Sequence, residues 1–337
     1  MLYVTTRDHK NIHTARHPLC KDRDGAGGLY IPFRPVVFPP VTLDSLKERS
    51  FGQWIAEFLN RFFGTKLNGW DVDFCIGRHP FRLVPMSHRI LIAETWNNPD
   101  NTVFWIAKKL KELILPESAK EEDFSDWLMV VIRTGILFGI FSELSRLDLI
   151  GQNRTLDVSV SAGDFSGPIA AFYARDLGLP IGKIIFGCND NSGAWDLIHH
   201  GELHANAPLV HTDTPECDHS VPRDLERLIY ARFGLDETIR FGERVSGNRV
   251  YTLPEEKLSV LNSGFFGAVI SKRRMESVIR NVFRTNQYLL GPYSALAFGA
   301  LQDYRAANSE AGPALIITEH GPQQNEETVS RSLGDRL

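Results

Sequence analysis

Cysteine is scarce in this chain. The four present, Cys20, Cys75, Cys188 and Cys217, form no Cys-x-x-Cys pair. That excludes a dense disulfide framework, and a reduced, cytoplasmic setting is expected. A dominant charge sign is missing too. Lys and Arg total 37 against 41 Asp and Glu, a formal net charge of −4, so no global attraction for nucleic acid exists. The opening MLYVTTRDHK is polar and lacks the apolar centre of a signal peptide. Only residues 127–144 form a long apolar run. It is short for a membrane span and carries Arg133, so a buried helix is expected and no membrane partner. Metal-ligand spacing is absent as well. His199, His200, His204, His211, Cys217 and His219 crowd one stretch, but Gly201 interrupts any helix that would align His200 with His204, and no four-ligand pattern emerges. No metal site is expected. The glycines of residues 24–28 lack a strand before and a helix after, which excludes a nucleotide fingerprint. No Ser-His-Asp set can be assembled from spacing, because such triads are recognised in space.

What is present is an ordinary globular composition, 43% hydrophobic and 23% charged over 337 residues, enough for one large domain or two smaller ones. The most informative stretch is 156–203. Residues 156–160 are a short β-branched run, as in a buried strand. Small residues 161–167 follow, and Pro168 stands where a first helical residue belongs. Ile169, Phe172, Tyr173 and Leu177 recur at helical spacing, Gly178 suits a helix C-terminus, and 183–188 is a second apolar run. This β–α–β unit predicts a parallel sheet, with the N–H groups of its first turn aimed at an anion above the strand ends.

Along the rest of the chain, residues 3–7 read as a strand and 24–32 as a glycine turn running into another. Residues 42–63 form an amphipathic helical region opened by Thr42 or Asp44, its aromatics serving the core. Residues 35–40 and 64–73 are connections, and 89–94 and 314–318 are strands. Lys272, Arg273, Arg274, Arg280 and Arg284 read as a solvated helix face. The expected organisation is an N-terminal segment 1–88 packed on an α/β core 89–325 with helices on both faces of a largely parallel sheet, then a polar, frayed tail 326–337.

Several of these segments resemble threonine synthases, pyridoxal-phosphate (PLP) enzymes of fold type II. That family has a Ser/Thr-Gly-Asn-Phe-Gly-Asn/Asp phosphate loop, then Gly-Leu-Pro and Ala-Thr-Asn-x-Asn-Asp. Here the counterparts are Ala162-Gly163-Asp164-Phe165-Ser166-Gly167, Gly178-Leu179-Pro180 and Gly187-Cys188-Asn189-Asp190-Asn191-Ser192. The opening Tyr3-Val4-Thr5-Thr6-Arg7 is similar to Tyr-Val-Ser-Thr-Arg. Residues 222–228 are similar to Pro-Ser-Asn-Phe-Glu-Arg-Leu, and 288–295 to Tyr-Leu-Leu-Asp-Pro-His-Thr-Ala. The resemblance implies that Gly163, Asp164, Phe165, Ser166, Gly167 and Asn189 occupy cofactor-binding positions. It also implies that Thr318 matches the residue that hydrogen-bonds the pyridine nitrogen.

Two departures touch the chemistry. Where the family reads Glu-Leu-Phe-His-Gly-Pro-Thr-x-Ala-Phe-Lys-Asp and its lysine forms the Schiff base, this chain reads Glu94-Thr95-Trp96-Asn97-Asn98-Pro99-Asp100-Asn101-Thr102-Val103-Phe104-Trp105. Phe104, or Trp105 after a one-residue slide, holds the lysine column. Lys108 falls a helical turn late, displaced by about 5 Å. The smaller substrate lobe with Ser-Gly-Asp-Thr-Gly also has no counterpart. Three functions follow as expectations: a degenerate, non-catalytic homologue binding a small metabolite or a partner protein; a PLP-dependent lyase or synthase acting on a phosphorylated amino acid such as O-phosphohomoserine; or an enzyme that reuses the cleft without PLP. The resemblance leaves the ligand and the oligomeric state open.

Overall fold

The computed structural model describes residues 1–25, 27–76, 81–96, 103–114, 125–151 and 154–334, the side chains of 76, 104–106, 110, 111 and 113 excepted. The chain opens with a small antiparallel sheet. β1 (Leu2–Thr5) pairs with β2 (His13–Thr14) on one side and with β3 (Tyr30–Pro32) on the other, and the short helix α1 (Arg16–Cys20) lies between β2 and β3 in sequence. The amphipathic region then divides into α2 (Leu43–Lys47) and α3 (Phe51–Phe63). Each half carries its own capping box, Thr42 with Ser45 and Ser50 with Gln53. α3 buries Trp54, Ile55, Phe58, Leu59 and Phe62, as its spacing requires. A further helix, α4 (Gly69–Ile76), occupies part of the stretch expected as a connection.

The central sheet has six strands. β4 (Arg82–Met86) and β5 (Ile90–Glu94) form a hairpin, and α5 (Val103–Ile114) and α6 (Asp126–Arg146) follow. Next come β6 (Leu156–Ser161), α7 (Ser166–Asp176), β7 (Ile181–Cys188), α8 (Gly193–His200) and β8 (Glu202–His204). The remainder is α9 (Leu225–Ser246), β9 (Val250–Thr252), α10 (Glu255–Gly264), β10 (Phe265–Val269), α11 (Lys272–Asn286), α12 (Pro292–Ala307), β11 (Ala314–Thr318) and α13 (Glu326–Leu333). The sheet order is β10-β7-β6-β11-β5-β4, parallel throughout except for β4 on β5. All four strands expected from apolar runs lie in this one sheet, an α/β architecture with helices on both faces.

Alternation along the strands divides the core in two. Val158, Ile184, Phe186 and Leu315 join the layer of α3, α6 and α7, whereas Ile185 and Ile316 join that of α11 and α12. α6 is long and apolar enough to cross a membrane by length and composition, yet 83% of its most apolar window is buried inside the fold. It is the core helix. Its Trp127 indole donates to the Tyr3 hydroxyl (3.3 Å), which donates to the Phe62 carbonyl (2.6 Å), joining α6 to β1 and α3.

The structure corrects three details of the expected organisation. A boundary at residue 88 would cut the β4–β5 hairpin, because β4 belongs to the central sheet. Residues 326–333 are helical rather than frayed, since Val329 and Leu333 recur at i, i+4 and are buried with the residues of α11. α7 starts at Ser166, so Pro168 is its third residue.

The N-terminal sheet is fastened through one carboxylate. Glu226 on α9 is 1% exposed. It accepts from Thr6 Oγ1 (2.5 Å), from Arg7 Nε and Nη2 (2.9 and 2.7 Å), and from Arg23 Nη1 (3.1 Å). A buried carboxylate needs this degree of pairing. Thr6 and Arg7 thus meet Glu226, far away in sequence, in one hydrogen-bonded ion-pair cluster.

Candidate functional site

At the carboxyl ends of β6 and β11 the chain leaves a cleft of about 450 Å³, the usual ligand position in an open parallel sheet. The loop between β6 and α7 forms its floor. Gly163 adopts φ +51°, and Phe165 adopts φ +74°, a left-handed conformation that costs a phenylalanine on the order of 1–3 kcal/mol. Burial of its ring against Phe186 and Phe265, with centroids 5.2 and 6.1 Å away, holds the residue there. Phe165 therefore anchors the loop from beneath and does not line the cleft.

Asp164 closes the loop on itself. Its Oδ1 accepts the Ser166 N–H at 3.0 Å and also the Ser166 hydroxyl. Its backbone carbonyl accepts the Asp224 N–H at 3.0 Å. The carboxylate thus sits on the first N–H of α7, where a bound anion would be held.

Arg133 reaches the cleft from α6. Nε and Nη2 grip Glu319 at 2.8 and 2.7 Å, and Nη1 donates to Ser166 Oγ at 3.0 Å. Burial pulls its pKa down, but the Glu319 charge and hydrogen bonds outweigh that and raise it further above the ordinary value. His320, next in sequence, stacks on Tyr293 at 4.3 Å between centroids. Its Nε2 lies 3.0 Å from Glu216 Oε2 and its Nδ1 3.1 Å from Gln324 Oε1. Burial lowers its pKa, the neighbouring carboxylate raises it, and the net direction is up. The His320 hydrogen bond draws Glu216 below the ordinary carboxylate value, against burial. Among the described residues, four carboxylates (Asp126, Asp164, Glu216, Glu319) and two guanidiniums (Arg133, Arg223) line the cleft.

Of the sequence-predicted residues, Gly163, Asp164, Ser166, Gly167 and Thr318 line this space together. Asn189 does not. It is buried beside the loop that follows β8, with Nδ2 at 2.8 Å from Thr212 Oγ1 and 2.7 Å from Asp218 Oδ1. The Thr318 hydroxyl donates to the Ala93 carbonyl (3.2 Å) and accepts the Trp96 indole N–H (3.1 Å). Residues 97–102 and the side chains of Phe104 and Trp105 lie outside the described residues. Among those described, no lysine lines the cleft. Lys108 is exposed, and Lys109 Nζ is 3.5 Å from Glu112.

No protein-family model matches the chain. Its sequence is 24% identical over 200 residues to the threonine synthase of Eremothecium gossypii, covering 54% of this chain and 39% of that protein. It is 25% identical over 166 residues to human threonine synthase-like 1, covering 47% and 22% respectively. The fold superimposes on PLP-bound threonine synthase from Brucella melitensis with a TM-score of 0.85 at 17% identity, over 100% of this chain and 92% of that one. Yeast threonine synthase gives 0.80 at 13%, over 100% and 91%. The chain has the threonine synthase fold and is similar in sequence to threonine synthases over about half of its length. It spans well under half the length of the curated relatives named here.

Several cleft residues escaped the sequence reading. Arg133 had a signal, a lone charge in an apolar helix, which must find a buried partner. Glu319 and His320 follow directly on Thr318, at the carboxyl end of β11. Glu216 had none, because its pairing with His320 exists only once β11 and the loop after β8 are folded together.

Proposed function

We propose that this chain is a threonine-synthase-like binding protein without Schiff-base chemistry, its cleft taking a small polar metabolite. The observation that carries the reading is Asp164, whose carboxylate occupies the anion position of the phosphate loop. An asparagine amide donates hydrogen bonds to a phosphate, whereas an ionised aspartate only accepts. Like unit charges about 4 Å apart repel by roughly 1 kcal/mol in water and about 4 kcal/mol at an effective dielectric near 20. The helix dipole returns on the order of 0.3–1 kcal/mol, and up to about 2 when partly buried. Repulsion prevails or ties.

Two further features point the same way. The hydroxyl of Thr318 is already committed to Trp96 and Ala93. The sequence offers Phe104 or Trp105 where the family carries its lysine. Residues 115–125 alone join α5 to α6, far fewer than the roughly 30 of one β–α–β unit, which accords with a missing lobe at that point. The residues present therefore do not fit PLP bound in the family manner, and no reaction step is derived through it. Four free cysteines accord with a reducing, cytoplasmic location.

The PLP-dependent alternative draws on the loop shape, on Thr318 and on the PLP-bound Brucella fold. Incubation with PLP, borohydride reduction and peptide mapping separates the two. The binding-protein reading predicts no specifically labelled lysine, and stoichiometric label on one lysine would overturn it.

A further inference from the structure

The opposite end of the sheet carries a second cavity. It lies at the amino ends of β5, β6 and β11, with a volume of about 270 Å³, near the lower limit of small-molecule pockets. Met86, Ile90, Leu91, Ile150 and Leu156 make its wall apolar, and among the described residues its only charged lining residues are Arg89 and Arg154. Among the described residues, no carboxylate lines it. Neither arginine has an ion pair or a side-chain hydrogen bond among the described residues.

A third guanidinium shapes the same region. Arg305 Nη1 donates to the His88 carbonyl at 2.9 Å and Nη2 to the Gly312 carbonyl at 3.0 Å. These bonds fix the residues preceding Arg89 and Pro313, two members of the lining. Arg305 Nε is buried without a partner. Burial lowers the Arg305 pKa, Asp157 partly restores it, and the positive charge of Arg89 depresses it again. The carboxylate that acts on Arg305 is Asp157, whose Oδ1 already accepts the Lys183 N–H at 2.7 Å. His88 and Arg89 both hold left-handed backbone, φ 59° and 58°, so the β4–β5 turn keeps Arg89 at the rim.

We infer that this pocket binds a small organic acid with an apolar body, its carboxylate between Arg89 and Arg154 and its hydrocarbon against Met86, Ile90 and Ile150. Guanidinium geometry matches a carboxylate in bidentate fashion, and the apolar wall supplies the remaining contact. This site is independent of the cleft at the carboxyl ends.

The test uses octanoate, with octanol as its uncharged counterpart, on the full chain by ligand titration with methyl NMR. Octanoate is expected to bind saturably and at least about tenfold tighter than octanol, shifting the Met86 and Ile150 methyls but not Met129 of the cleft. R154Q, and R89N with an asparagine that tolerates the left-handed turn, should each weaken octanoate about tenfold while the thermal midpoint stays unchanged. Equal binding of octanol, shifts centred on Met129, no saturable octanoate binding, or undiminished binding by both variants would each overturn the inference.

Discussion

Two ionisable sites tie the stability of single residues to pH, with opposite signs. Asp224 is fully buried, and burial raises its pKa to about 6 even though Arg227 beside it pulls the value down. The folded state then holds the proton more tightly than the unfolded chain, whose ordinary value is 3.8. Stability therefore falls as pH rises from about 4 through 6. Urea titrations of wild type and Asp224→Asn should converge or cross in that direction as pH rises, because only the wild type carries the titrating carboxyl. A pH-independent difference would contradict the assignment. The His320–Glu216 pair behaves otherwise. The raised histidine contributes stability that is full below 6.5 and lost as pH rises through its folded value. The lowered glutamate contributes above 4.5, and that is lost as pH falls through its own folded value. The destabilisation caused by His320→Gln should accordingly peak between about pH 4.5 and 6.5 and shrink towards pH 8, read as the difference in thermal midpoints.

Elements meet through contacts that tolerate little change. A Cβ on Gly187 in β7 would stand 2.2 Å from the Leu296 carbonyl of α12, and backbone cannot retreat cheaply from such an overlap. Gly187→Ala is expected to destabilise the chain by about 1–3 kcal/mol or more, the usual range for overpacking, with a lower urea midpoint as the readout. Glu226→Ala should leave Arg7 and Arg23 without their shared carboxylate and cost about 3–5 kcal/mol. Limited proteolysis should then cut first within residues 1–32, since the N-terminal sheet loses its fastening to α9.

Which elements were legible follows from the same physics. β5, β7 and β11 each contain a continuous apolar run, because a parallel strand is covered on both faces, whereas β6 was legible from its β-branched Val158 and Val160. α6 was legible because it is apolar all round, as a fully buried helix must be. α4 was not, because it presents Trp70 and Phe74 to solvent, 78% and 93% exposed, which erases the amphipathic pattern. α13 was not, because Val329 and Leu333 are its only apolar residues. The phosphate-type loop was visible in its small residues, whereas the roles of Phe165 and Asn189 were not. One is turned inward by a left-handed backbone, and the other is absorbed by the loop that packs over it.

At the scale of the whole molecule, the fold is that of threonine synthases, and four carboxylates and two guanidiniums line the carboxyl-end cleft among the described residues. The same scaffold can host unrelated functions, so the central claim rests on what the loop at 162–167 will hold. The most direct measurement is a paired equilibrium titration of wild type and Asp164→Asn with PLP, with inorganic phosphate as competitor. The account predicts weak or undetectable binding by the wild type, and at least about tenfold tighter, phosphate-competed binding once the carboxylate becomes an amide. Micromolar or tighter PLP binding by the wild type, unimproved by the substitution, would contradict it.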